Sequence, residues 1–142
     1  MSLGKGRPYI SVVIATRNRG DRVVETIHSV LANDYPTFDV WVVDQSEDLW
    51  TKHSLKPIWN DSRFHYLRSD ARGVSLARNL GIQHAPGEIM AISDDDCWVP
   101  RNWLAHLASA FEKDPRIAIV FGNVVPGSHD HTSGYIPSYM HA

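Results

Sequence analysis

Only one cysteine stands in this chain, Cys97. Without a second thiol there is no internal disulfide, so packing alone must hold the fold, as suits a reducing compartment. No apolar run approaches the ~20 residues needed to cross a bilayer, and no signal-peptide pattern opens the chain. Neither sign of charge is in surplus: 14 basic side chains stand against 16 acidic ones, a net charge of −2. That balance offers nothing global to nucleic acid or to an anionic membrane, so partners must be argued from local charge and no nucleic-acid partner is expected. Repeats and low-complexity linkers are missing as well. So are two common phosphate-binding signatures. Where a G-x-G-x-x-G would follow the first apolar run, Ala15-Thr16-Arg17-Asn18-Arg19-Gly20 stands instead, and no G-x-x-x-x-G-K-[ST] occurs anywhere.

What is present is an ordinary globular composition, 43% hydrophobic and 21% charged over 142 residues. That is enough for one domain with a real core. Residues 1–7 read as a polar leader outside the fold, 8–126 as the folded domain, and 127–142 as a tail.

Apolar runs and helical stripes alternate along the domain. Ile10 to Ala15 is a nearly continuous β-branched run, expected of a strand covered on both faces. After a polar loop, Asp21 is placed to N-cap a helix whose Val23, Val24, Ile27, Val30 and Leu31 recur at helical spacing. Asn33-Asp34-Tyr35-Pro36 ends it. Phe38 to Val43 forms a second strand stopping at Asp44, and Glu47 to Asn60 holds a short helix broken at Pro57. Phe64 to Leu67 reads as a third strand. Val74, Ala77, Leu80 and Gly81 stripe the next helix, which Pro86-Gly87 stops. Ile89 to Ile92 is a fourth strand. Pro100 suits the first turn of a further helix that turns Trp103, Leu104, Leu107 and Phe111 inward and ends at Asp114-Pro115. Ile117 to Phe121 is expected as a fifth strand. This alternation predicts an α/β, Rossmann-like, mostly parallel sheet with helices on both faces.

Open parallel sheets bind ligands beyond the carboxyl ends of their strands. Here that rim carries Thr16, Arg17, Asn18, Arg19, Asp44, Gln45, Ser46, Arg68, Asp70, Arg72 and the triplet Asp94-Asp95-Asp96. Three adjacent carboxylates repel one another and gain nothing from packing. A hard cation such as Mg²⁺ or Mn²⁺ would relieve that repulsion, since such ions prefer carboxylate oxygen. Held there, it could bridge two phosphate oxygens, with Arg17, Arg19, Arg72 or Arg78 adding charge-assisted donors. A solvated acidic turn is the alternative.

Four segments carry a resemblance. Ser11-Val12-Val13-Ile14-Ala15-Thr16-Arg17-Asn18-Arg19 resembles S-V-I-I-P-T-Y-N, Val42-Val43-Asp44-Gln45-Ser46 resembles V-V-D-D-G-S, and Gly73 to Gly81 resembles G-x-S-x-A-R-N-x-G. Ser93-Asp94-Asp95-Asp96, four residues before Pro100, falls where a D-x-D metal motif stands. In order over about 90 residues, they are similar to the nucleotide-sugar-binding half of the inverting glycosyltransferases of family 2, which have the A-type glycosyltransferase fold. The resemblance makes 8–126 a donor-binding domain and implies site roles. Ala15 and Thr16 would line the nucleoside pocket, with Arg17, Asn18 and Arg72 among the donor contacts. Asp44 would accept a hydrogen bond from the base, Arg78 would lie near base or diphosphate, and Asp94 would contact the ribose. Asp95 would coordinate Mn²⁺ or Mg²⁺, with Asp96 as second ligand or water holder.

Two departures from the family pattern matter. Gln45 follows Asp44 where the family often has a second acid, and the triplet admits two registers, Asp94-x-Asp96 or Asp94-Asp95. The expected partner is a nucleoside-diphosphate sugar, with a UDP-sugar favoured and the acceptor unassigned. The general base is expected beyond Ala142, which makes the chain a donor-binding piece of a longer protein. A sugar-1-phosphate nucleotidyltransferase and a non-catalytic binding module are the competing readings. A cytoplasmic setting is expected, with the parent protein peripheral at the inner membrane face as a variant of it.

Other residues invite chemistry without the pattern to support it. His129-Asp130-His131 resembles a metal clip in a surface tail. His28 and His106 lie on predicted helices as surface or core-edge residues. Cys97 reads as a small packed residue rather than a nucleophile, because no histidine lies at a suitable spacing. Trp41, Trp59, Trp98 and Trp103 are assigned to the core as a group.

Overall fold

The computed structural model describes residues 6–128, 130 and 132–134; His129 and His131 of the apparent clip lie outside them. Four strands form, β1 (Ile10–Thr16), β2 (Phe38–Asp44), β3 (Phe64–Arg68) and β4 (Ile89–Ser93). Between and after them run α1 (Arg22–Leu31), the short α2 (Trp50–Ser54), α3 (Val74–His84) and α4 (Trp103–Lys113). A 3₁₀ turn over Lys56–Ile58 contains Pro57, the residue expected to break that helix. All three strand pairs are parallel and the order is β3-β2-β1-β4.

Side chains of alternate strand residues point to opposite faces, and each face meets different helices. Val12, Ile14, Val40 and Val42 join Val23, Ile27 and Val30 of α1 and Leu104 and Ala108 of α4 in one buried cluster. On the other face, α3 lies over β1 and β2. Gly81 makes that approach close, because a Cβ there would run into the Val13 side chain and reach within 3.3 Å of Val43 Cγ2.

Four local expectations need correction. Ile117 to Phe121 is not a strand: it pairs with no strand among the described residues, and Ile119 and Phe121 are 71% and 80% exposed. A β-branched run becomes a strand only where a neighbour takes up its backbone hydrogen bonds. Asp21 occupies the N-cap position of α1, but its own backbone is helical and its side chain makes no cap bond. Pro100 lies in the turn before α4, where its carbonyl accepts the Trp103 N–H at 3.0 Å. Nor are the tryptophans a core group: Trp41 and Trp103 are half-buried, whereas Trp59 is exposed and Trp98 is 75% exposed. His28 and His106 are exposed on their helices, as expected. Among the described residues no helix is long and apolar enough to cross a membrane.

Candidate functional site

Strand order builds the site. From β1 the chain steps to β2 and β3 on one side, then returns to place β4 against the other edge of β1. At such a reversal of strand order a crevice opens beyond the carboxyl ends of the strands. Thr16 closes β1 and Asp95 follows β4, and the two meet across the crevice. The Thr16 hydroxyl donates to Asp95 Oδ2 at 2.8 Å, with both residues buried.

A cleft of about 250 Å³ lies beside this contact, lined by Ala15, Thr16, Arg17, Arg19, Gln45, Gly73, Val74 and Asp95. Its floor is stitched together by the loops after β1 and β2. The Gln45 N–H donates to the Thr16 carbonyl at 2.9 Å. Asn18, at φ 54°, donates its N–H to Ser46 Oγ and accepts the Glu47 N–H on its side-chain oxygen. Asparagine is among the few residues that enter the left-handed region readily. Above the floor, Glu47 accepts from Arg17 at 2.9 Å and pairs with Arg72 at 3.3 Å.

The aspartate triplet fans out. Asp94 turns to α3, where its Oδ1 accepts from Arg78 Nη2 at 2.7 Å, and neither residue lines the cleft. Asp95 faces the cleft. Asp96 faces a second hollow of about 320 Å³ at the start of α1, lined also by Asp21, Arg22, Glu25, Thr26, Cys97 and Trp98. Arg19 reaches between the last two carboxylates, with Nε 3.4 Å from Asp95 Oδ2 and Nη2 3.8 Å from Asp96 Oδ2. Among the described residues no three His, Cys, Asp or Glu side chains converge as a ready-made metal cage. Burial pushes the Cys97 thiol up, against a smaller opposing pull from a backbone hydrogen bond at Asp94, which leaves less of the thiolate a nucleophile would need.

Asp44 does not lie open to a ligand. Its carboxylate is fully buried, Oδ1 accepts the Ser46 N–H at 2.8 Å, and Oδ2 accepts the Tyr66 hydroxyl at 2.7 Å. It anchors the end of β2. Its neighbour Gln45, itself buried, lines the cleft, takes the Gly73 N–H on Oε1 at 3.3 Å, and has a buried Nε2 with no partner among the described residues. The sequence places Gln45 on the rim and marks it as a departure from the family pattern, without a role of its own. The signal was strand alternation, since consecutive residues at a strand end point opposite ways.

With this geometry in hand, comparison places the chain among known proteins. The family model described as "Glycosyl transferase family 2" matches residues 11–138. WcaA of Escherichia coli K12 is 35% identical over 107 residues, 73% of this chain and 38% of that protein. A glucosyl-dolichyl phosphate glucuronosyltransferase of Haloferax volcanii is 31% identical over 120 residues, covering 82% and 38%. Among solved structures, the mannosyltransferase PcManGT of Pyrobaculum calidifontis, in complex with GDP-Man and Mn²⁺, superposes with a TM-score of 0.72 at 28% identity, covering 80% of this chain and 34% of that one. The chain thus spans about 38% of the length of these curated relatives. Its fold is that of the A-type glycosyltransferases, and the chain belongs to glycosyl transferase family 2.

Proposed function

We propose that this chain is the donor-binding part of a metal-dependent, inverting glycosyltransferase that takes a nucleoside-diphosphate sugar. The observation that carries the reading is the crevice between β1 and β4, where Thr16, Gln45 and Asp95 line one cleft flanked by Arg17 and Arg19. An anionic, partly polar ligand suits it: arginines for phosphate, a buried amide for a base, a carboxylate for a cation. The PcManGT complex holds GDP-Man, and a structure of Staphylococcus aureus TarS, alike in fold at 24% identity, holds UDP-GlcNAc.

In this reading Gln45, not Asp44, reads the base. Its unpartnered Nε2 donates to a ring carbonyl, such as those uracil and guanine both present, while Asp44 keeps β2 and its loop in place. Ala15 leaves room for the nucleoside. Arg17 and Arg72, now sharing Glu47, exchange that carboxylate for phosphate oxygens. Thr16 orients Asp95 through its hydroxyl, and Arg78 holds Asp94 beside the ribose.

The residues fit a divalent cation, because the two Oδ2 atoms of Asp95 and Asp96 already lie within reach of one positive group, Arg19. Hard ions of the Mg²⁺ type are commonly held by one or two carboxylates, with phosphate and water completing the shell. When bound, such an ion supplies Lewis-acid stabilisation of the departing diphosphate.

Calorimetric titration of UDP and GDP with Mn²⁺ tests the assignment. Asp95→Ala loses the Mn²⁺-dependent part of binding with the fold retained, and Gln45→Ala weakens binding about 3- to 10-fold, the weight of one hydrogen bond. Unchanged affinity in Asp95→Ala removes the metal role, and unchanged affinity in Gln45→Ala removes the base contact. Slow hydrolysis of a nucleotide sugar supports a transferase, and binding without hydrolysis favours a non-catalytic module.

A further inference from the structure

Among the described residues Arg19 is the one arginine that touches two members of the aspartate triplet, and its backbone is constrained on both sides. It sits between two residues in the left-handed region, Asn18 at φ 54° and Gly20 at φ 57°. Its carbonyl accepts the Arg22 N–H at 3.1 Å, and the following Gly20 N–H donates to Thr51 Oγ1 at 3.1 Å. A side chain at Gly20 would run into the Trp50 ring, at 2.5 Å from Cε2. The loop therefore aims Arg19 at Asp95 and Asp96 rather than leaving it to wander. The guanidinium contacts the same two carboxylates that the donor reading assigns to the cation.

Two positive groups cannot hold one pair of carboxylates at full strength. A guanidinium within 4 Å of both oxygens raises the electrostatic cost of bringing a divalent ion to the same place. A diphosphate offers that guanidinium a second anion, and arginine binds phosphate in a bidentate manner as readily as it binds carboxylate. We propose that Arg19 is an electrostatic gate on the metal: at rest it competes with the cation for Asp95 and Asp96, and the incoming diphosphate draws it away, so that cation and nucleotide load together. The inference rests on the donor-site reading above and adds a competitor for its metal. A metal loaded only with nucleotide spares the chain a tightly held ion with no substrate to act on. The coupling is reciprocal, so each ligand strengthens the other by one and the same factor.

The test measures bound Mn²⁺ directly, by the electron paramagnetic resonance of the free ion, on the 142-residue chain with and without UDP. Arg19→Ala is expected to bind Mn²⁺ about tenfold more tightly than the parent when nucleotide is absent, within the usual range of coupling between sites. Arg19→Lys, which keeps the charge, stays close to the parent. The factor by which UDP tightens Mn²⁺ shrinks in Arg19→Ala, to whatever the metal–phosphate bridge alone provides. Equal or weaker nucleotide-free Mn²⁺ binding in a folded Arg19→Ala overturns the gate, provided the parent binds Mn²⁺ with UDP. If the parent binds no Mn²⁺ even with UDP, the metal reading itself falls and the gate falls with it. A shift shared by Arg19→Lys also overturns the gate, because it would trace to the shape of the loop rather than to charge.

Discussion

The hydroxyl of Thr16 and the carboxylate of Asp95 are 79 residues apart in sequence and 2.8 Å apart in space. That hydrogen bond closes the reversal of strand order. It joins the last residue of β1 to the acidic turn after β4, and it fixes one face of the only carboxylate of the triplet that lines the cleft.

Thr16→Val keeps the shape and removes the donor. The buried Asp95 then loses a bond to a charged group, a loss of about 1.5–3 kcal/mol by the usual weight of such bonds. The expected outcome is a lower denaturant midpoint with an unchanged slope, and Thr16→Ser recovers most of the difference. A midpoint equal to the parent's would mean that the hydroxyl carries no share of the site's stability.

Tyr66 binds Asp44 at 2.7 Å, and its acidity reports on that contact. Burial first, and then the Asp44 carboxylate, push the phenol from 10.0 up to about 12. The folded chain thus resists ionising a group that the unfolded chain ionises earlier. Its stabilising share is intact below pH 10 and is lost as pH rises toward 12. Stability measured by chemical denaturation from pH 9 upward should fall faster in the parent than in Tyr66→Phe. The Phe variant should also start lower, by about 1–3 kcal/mol, because the fully buried Asp44 Oδ2 loses its donor. Parallel pH curves for the two proteins would show that the phenol does not titrate across this range.

Gly81 sets the distance between α3 and the sheet. Gly81→Ala places a methyl group against Val13 on the buried face. Overpacking of this kind is expected to lower stability by about 1–3 kcal/mol, despite the better helix propensity of alanine. Val13→Ala in the same chain opens room for the methyl, so the double variant should be more stable than the sum of the two single changes implies. A stabilising Gly81→Ala would show that helix propensity outweighs contact with the sheet here.

How much of this was legible in the chain depends on the range of the forces involved. The four strands, the long helices and the rim of polar residues could be read because apolar periodicity is local and strand ends follow from it. The family resemblance was legible for the same reason, as its motifs sit at strand ends. Side chains whose partners lie far along the chain were harder to assign. Asp44 and Gln45 differ by one position, and strand alternation sends them opposite ways, but the packing of β3 and α3 decides that Asp44 is sealed under Tyr66 while Gln45 lines the cleft. Trp98 was grouped with the core because tryptophan is apolar, but the turn after β4 holds it out beside the second hollow. Ile117 to Phe121 has the composition of a strand and no neighbour among the described residues with which to become one.

The order of apolar and polar residues by itself determined that a parallel α/β sheet would form with its acids and arginines at one rim, because burial and backbone hydrogen bonding allow few other arrangements of such a pattern. Tertiary structure alone decided how those groups pair: Asp94 with Arg78, Asp95 with Thr16, Asp96 toward the second hollow, and Arg19 between the last two. Adjacent residues in a turn can point in any of several directions, and contacts from distant segments choose among them.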